Sequence, residues 1–438
     1  MSPATTATGW HPDTRRRAGF LGIFLVALGA RVTYALAAAP NILPISDAGG
    51  YRLLGQHLAE GLGYIRPYDM ARADIMRPTA EFPPGFPGLL GVFHAIGLRS
   101  VPAQRLGLAV LGALAVVGIV MLARRWLPER GALLLGLVAA VHPALFAPES
   151  ALLAESLFLW LVVLVLLAVV RFRESPTPER AALVGLLGGA ATLVRSEGLV
   201  LAVVLVLPLL VTAPPRRIRV GAGVAVLVAA LLLPGAWAVR NLTTFDEPVL
   251  VSNNLGSVLS GANCDRTYDS DLIGFWFISE DCFDGFRQEA LEAADESVVA
   301  GELRDDGLSY MRDHLDELPK VATVRVLRTF QMYEPEQQGR LATFEGRRLL
   351  TERITGWILW GTLPLALAGA VHLGRHRRWV DLWLLVSPVA VVVAVAAATY
   401  GNPRFRIAAE VPLLILAAIG VHAGVVALRH RHRTVPGE

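Results

Sequence analysis

The chain has 438 residues, of which 54% are hydrophobic and only 18% charged, with a formal net charge of +3. Soluble globular domains carry about a quarter charged residues, and apolar runs such as 153–170 and 219–239 approach the roughly 20 residues a helix needs to cross a bilayer. Composition therefore excludes a water-soluble enzyme core and intrinsic disorder, and predicts an all-α polytopic membrane protein.

Ten apolar runs follow in order, at about 18–40, 105–123, 131–147, 151–170, 181–194, 198–213, 219–239, 355–374, 380–399 and 407–428. They predict about 10 transmembrane helices. Of the basic residues, 39 are Arg and one is Lys320. Six segments hold three Arg apiece: residues 15–17, 124–130, 171–180, 216–219, 375–378 and 429–433. With a cytoplasmic N-terminus, ten spans place all six inside, as the positive-inside rule expects. Both termini are then cytoplasmic, and the Arg clusters read as topology signals and not as a nucleic-acid surface. Arg15 to Arg17 ahead of an apolar stretch ending in Ala37-Ala38-Ala39 is also a signal-peptide pattern, but Arg31 interrupts it.

The domain organisation that follows is a membrane module over 1–240 with a first outer loop at 41–104, an exoplasmic soluble domain at 241–354 and a C-terminal membrane module at 355–438. The first loop mixes Gly and Pro with an amphipathic piece at 51–61, and the second segment has helical periodicity over 286–318. Cys264 and Cys282, the only cysteines, fall in that segment. An oxidising compartment would join them in a disulfide; the alternative is two buried thiols.

Ionisable residues at membrane edges mark functional sites by default. Asp47, Glu149, Glu155, Arg195, Glu197, Arg240, Arg404 and Arg406 all fall at outer span ends or in outer loops. One polar face favours a site open to the outside over a pathway through the bilayer. Asp47 has two readings: a helix cap shared with Ser46, or a general base. The run from Glu81 to Pro87 is expected to be non-helical, because Pro83, Pro84 and Pro87 remove donors. No phosphate-loop, Rossmann, HExxH or CxxC pattern occurs.

Taken in order, several motifs resemble the GT-C superfamily of membrane glycosyltransferases, in particular the bacterial glycosyltransferase family 39 group. That group is dolichyl-phosphate-mannose–protein mannosyltransferase-like and related to the lipid A aminoarabinose transferases. The resemblance rests on Asp47 with Tyr51, Gly61-Leu62-Gly63-Tyr64 and Phe82-Pro83-Pro84-Gly85-Phe86-Pro87. It continues through Glu149-Ser150, Glu155-Ser156-Leu157-Phe158, Leu193-Val194-Arg195-Ser196-Glu197-Gly198, Arg240-Asn241 and Arg404-Phe405-Arg406. It covers most of 18–260 and 400–420.

The resemblance implies an inverting enzyme that uses a polyprenyl-phosphate sugar donor at the outer face of the cytoplasmic membrane. The acceptor would be an envelope polysaccharide, lipid or protein, and nucleic acid has no part. Asp47 would be the base, and Tyr51 would line the substrate site. Arg404, Arg406, Arg195 and Arg240 would grip the leaving phosphate, for which guanidinium is suited; the same arginines could instead snorkel or pair with glutamates. Glu149 and Glu155 could face Arg195 or, with Asp47, hold a divalent cation as in some relatives. His142 and His94 do not join that set. Where some relatives carry a basic residue before the Pro-Pro pair, this chain has Glu81-Phe82. Trp276 is a candidate for sugar stacking, and Trp237 and Tyr400 suit a membrane interface. Asn241-Leu242-Thr243 matches a glycosylation acceptor by pattern alone. A lipid-sugar transporter or flippase, or a non-catalytic envelope assembly protein, are the competing functions.

Overall fold

The computed structural model describes residues 12–212, 216–277, 282 and 295–434. The N-terminal part of the predicted 286–318 helix thus lies outside the described residues. Among the described residues the chain is helical, and its only β-pairing is an isolated bridge between Ile65 and Pro78.

Among the described residues seven helices are long and apolar enough to cross a membrane: Arg16–Ala37, Val101–Ala123, Glu155–Glu174, Arg219–Leu242, Leu349–Arg375, Trp379–Ala398 and Pro403–His430. A helix pair, Glu129–Ala140 and Pro143–Ser150, bends by 40° and would make an eighth span. The chain is a multi-pass membrane protein. Two of the ten predicted runs form shorter helices, Pro178–Thr192 with 15 residues and Glu197–Thr212 with 16. At about 1.5 Å per residue these reach only about 22–24 Å, against a hydrocarbon core of about 30 Å.

We number the helices that build the site in chain order: α1 (Pro12–Ala37), α2 (Asp47–Ala59), α3 (Pro67–Ala73), α4 (Gly85–Ala95), α5 (Val101–Ala123), α6 (Glu129–Ala140), α7 (Pro143–Ser150), α8 (Glu155–Glu174), α9 (Pro178–Thr192), α10 (Glu197–Thr212) and α11 (Arg216–Leu242). Beyond them come α12 (Leu255–Ala262), α13 (Asp265–Tyr268), α14 (Glu296–Asp313), α15 (Leu318–Thr329), α16 (Pro335–Leu341), α17 (Leu349–Arg375), α18 (Trp379–Ala398) and α19 (Ile407–Thr434).

Lipid gives apolar faces no hydrophobic reason to associate, so close packing at small residues holds such bundles together. The α17–α19 contact is of this kind. Gly369 lies against the Leu416 carbonyl and Gly420 against the Leu365 carbonyl, where any Cβ would collide with backbone. The main core cluster is aliphatic and aromatic and is drawn chiefly from the apolar helices with α2 and α4, and smaller clusters such as that of Tyr268, Ile273, Val321 and Val324 lie apart from it.

Helix α4 begins at Gly85, so Pro87 is helical, contrary to the expectation that the whole 81–87 run lies outside helix. Pro87 sits in the first turn, where a backbone N–H has no intrahelical acceptor and its loss costs nothing. Pro83 and Pro84 precede the helix as expected.

In the segment between α11 and α17, Cys264 and Cys282 form a disulfide. Glu296, the first residue of α14, fastens this segment to the α3–α4 loop. Its carboxylate accepts from Thr79 Oγ1 at 2.9 Å, the Ala80 amide, Asn253 Nδ2 at 2.7 Å and Arg66 Nε at 3.1 Å.

Candidate active site

Asp47 is the first residue of α2, and Ser46 is the cap: its Oγ accepts from the Gly49 amide at 3.2 Å. The Asp47 carboxylate is therefore free to turn elsewhere, and it is 41% exposed. Tyr68 holds this loop by donating to the Ser46 carbonyl at 2.8 Å. Gly49 permits the approach, since a Cβ there would run into the Pro44 carbonyl and lie 3.0 Å from the Tyr68 hydroxyl.

Three further segments converge on Asp47. Glu155 opens α8, where the helix dipole favours a carboxylate, and its side chain is fully buried. Arg195 occupies the turn between α9 and α10, with Glu197 opening α10. Arg404 lies in a single 3-10 turn, Pro403–Arg406, between α18 and α19; its amide donates to the Asn402 side chain at 3.1 Å.

The guanidiniums join these pieces. Arg404 Nη1 donates to Asp47 Oδ2 at 2.8 Å and Nε to Glu155 Oε1 at 2.7 Å. Arg195 Nη1 donates to the same Glu155 oxygen at 2.5 Å, and its Nε to Glu197 Oε1 at 2.6 Å. Arg195 also lies over the Phe405 ring, 5.2 Å from its centroid. Glu345 sits 3.4 Å from Arg404 Nη1 and is held by Arg347 at 2.7 Å and Asn402 Nδ2 at 2.9 Å. Burial alone would raise the Glu345 carboxyl, but Arg347 and Arg404 outweigh it and hold it below the ordinary carboxylate range.

Asp47, Arg195, Glu197 and Arg404 of this network line a cavity of about 510 Å³, which Glu155 does not reach. Asp47, Tyr51, Phe82 and Pro83 come from the first outer loop, and Tyr400, Arg404 and Phe405 from the α18–α19 turn. The opposite side is the stretch from Glu247 to Val258 with Ser297 and Arg304. Tyr51, one turn beyond Asp47, is wedged edge-on between Phe82 at 4.7 Å and Phe86 at 5.2 Å.

Other sequence candidates lie elsewhere. Arg406 is buried against Glu410 at 2.5 Å and the Thr329 carbonyl at 2.8 Å. Arg240 donates to the carbonyls of Thr79 at 2.8 Å and Tyr64 at 3.1 Å, under Trp237. Neither lines the cavity. Glu149 pairs with Arg31 at 3.1 Å inside the bundle, apart from the Asp47 network. Glu155 likewise faces arginines, and among the described residues no group of three His, Cys, Asp or Glu side chains is placed to hold a metal. His142 stands at the α7 cap position without a side-chain cap bond, and His94 lies 3.8 Å from Glu60. Trp276 donates to the Ser257 carbonyl and does not line the cavity. Asn241 is fully buried, so it is no surface acceptor for glycosylation.

Sequence reasoning missed Glu345 and Arg347, both at the cavity network, and Glu296. The 345–352 stretch sets charges immediately before a span, the same signal that drew attention to Arg404.

Residues 81–238 match the family model described as dolichyl-phosphate-mannose-protein mannosyltransferase. No curated protein matches the sequence significantly. Among solved structures the chain is similar to the archaeal oligosaccharyltransferase AglB from Archaeoglobus fulgidus. The similarity to its complex with an inhibitory peptide and a dolichol-phosphate has a TM-score of 0.54 at 13% identity, covering 97% of this chain and 52% of that one. To its apo form the TM-score is 0.56, with the same identity and coverage. It is also similar to ArnT from Cupriavidus metallidurans bound to undecaprenyl phosphate, at 18% identity and TM-score 0.43, covering 97% of this chain and 82% of that one. The chain spans about half the length of the archaeal oligosaccharyltransferase it resembles. It shares the fold of the membrane part of that archaeal enzyme, and over residues 81–238 it matches the mannosyltransferase family model.

Proposed function

We propose that the protein is an inverting glycosyltransferase that moves a sugar from a polyprenyl-phosphate-linked donor to an acceptor hydroxyl at the outer face of the cytoplasmic membrane. The single observation that carries this reading is that Asp47, Arg404 and Arg195, tied together through the buried Glu155, line a cavity beside apolar helices.

In this reading the acceptor hydroxyl gives its proton to Asp47 while its oxygen bonds to the anomeric carbon. The bond from that carbon to the phosphate oxygen breaks on the opposite face, and its electron pair leaves with the polyprenyl phosphate. Arg404 links the two events. Once Asp47 is protonated its ion pair with Arg404 is lost, and the freed guanidinium face can turn to the departing phosphate. Glu155 and Arg195 keep Arg404 in place throughout. Family and fold support the reaction class, and the dolichol-phosphate complex of the archaeal relative supports a lipid-phosphate donor.

The sidedness belongs to the same proposal. If α1, α5, α6 with α7, α8 through α11 and α17 through α19 make ten crossings, the site falls outside and both termini inside. Glu155 at one end of α8, with Arg171 and Arg173 at the other, agrees with that orientation. Residues 241–354 then act as an outer cover whose 247–258 stretch closes the cavity.

The test uses purified protein in nanodiscs, a panel of polyprenyl-phosphate sugars and an envelope extract as acceptor source. Release of polyprenyl phosphate with one of the sugars is expected. Silence with every donor, from folded protein, would overturn the reading.

A further inference from the structure

Around the cavity, the guanidiniums of Arg404, Arg195 and Arg347 are shared among five carboxylates: Asp47, Glu155, Glu197, Glu345 and Glu352. A phosphate entering this cavity meets cations that are already paired, together with an excess of negative charge. Binding it requires hydrogen-bond donors that are not held by an acid.

Donors that line the cavity without an acid partner include the phenols of Tyr51 and Tyr400, beside the smaller hydroxyls of Ser196 and Ser252. Neither phenol hydroxyl has a hydrogen-bond partner among the described residues. The Tyr51 side chain is only 6% exposed. Tyr400 directly follows the α18 terminus, packs edge-on against Phe405 at 4.7 Å and is backed by Trp276 at 6.1 Å. It stands four residues before Arg404, on the turn that aims that guanidinium. Burial raises both phenols above their ordinary pKa, so both stay protonated and able to donate.

Resting on the lipid-phosphate reading above, we infer that Tyr400 is a donor-binding residue whose hydroxyl donates to a phosphate oxygen of the polyprenyl-linked donor. It supplies the neutral donor that the acid-paired arginines lack. Its rigid seat between Phe405 and Trp276 lowers the entropy cost of that bond.

Tyr400→Phe keeps the ring and both aromatic contacts and removes only the hydroxyl. Because that hydroxyl has no partner among the described residues, the variant is expected to fold and melt like the wild type. The probes are undecaprenyl phosphate and undecaprenol, each titrated against the full chain in detergent. Affinity for undecaprenyl phosphate is expected to fall on the order of tenfold in the variant, with undecaprenol unchanged. Equal binding of undecaprenyl phosphate by both proteins overturns the Tyr400 assignment and leaves the reaction class intact. An equal loss for both lipids also overturns it, since the ring and not the hydroxyl would then matter. Absence of saturable phosphate binding by the wild type overturns the lipid-phosphate reading together with it.

Discussion

Arg404 Nη1 meets the Asp47 carboxylate at 2.8 Å across 357 positions of sequence, and the same guanidinium grips the fully buried Glu155. The start of α2, the start of α8 and the α18–α19 turn are thereby fixed to one another by a single side chain. A planar fork of donors can serve three carboxylates at once; a point charge cannot.

Arg404→Lys therefore tests the geometry of the fork rather than the charge. The ammonium can reach one or two of Asp47, Glu155 and Glu345, and turnover is expected to drop about 10²-fold, the scale of losing one electrostatic stabiliser. Arg404→Ala leaves Glu155 buried with Arg195 as its remaining partner and should also cost stability, about 3 kcal/mol. Rates for donor turnover alongside thermal melts separate the two effects. Near-normal turnover by the lysine variant would show that the fork is dispensable.

The Glu81 carboxyl is pushed up to about 7 by burial first, then by repulsion from Glu296 and Asp47. Its ordinary value is 4.5. Between those two values the folded protein keeps the proton while the unfolded chain has lost it, so stability falls as pH rises through that window. Glu81→Gln removes this contribution. The difference in melting temperature between variant and wild type should grow in the variant's favour from pH 4.5 to 7 and level off above. Parallel melting curves over that range would contradict the assignment.

The Cys264–Cys282 disulfide closes a loop with a sequence separation of 18 in the outer segment. Constraining a loop of that size is worth about 3 kcal/mol. Replacing both cysteines with serine should let proteases cut the outer segment well below the wild-type unfolding temperature while the membrane helices stay intact. Identical cleavage with and without the disulfide would mean that packing alone holds the segment.

Much of this was legible in the sequence, and the physical reasons are specific. Asp47, Glu155, Arg195, Glu197 and Arg404 stand at membrane edges, where ionisable residues are conspicuous against apolar runs, and the fold gathers them into one network. Arg240 and Arg406 carry the same signal but serve backbone carbonyls and Glu410. Position along a span does not tell which way a guanidinium turns. Glu149 was grouped with the outer acids, although it pairs with Arg31 inside the bundle; a contact between α1 and α7 has no signature in either segment alone. The short lengths of α9 and α10 were hidden because their apolar runs continue into the turns that flank them. Glu345 and Glu296 escaped because the outer segment carries polar residues throughout, so no single acid stands out.

The base is the central claim, and Asp47→Asn isolates it. The change preserves size and lets the side chain still accept from Arg404, so the variant should fold and bind undecaprenyl phosphate. The decisive measurement is the release of polyprenyl phosphate from the preferred donor by wild type and Asp47→Asn side by side. With Asp47 as the base, the wild type turns over, and the variant falls by at least about 10² to 10⁴-fold. Wild-type-like release by the folded variant would remove Asp47 from the chemistry and leave its pairing with Arg404 as a structural contact.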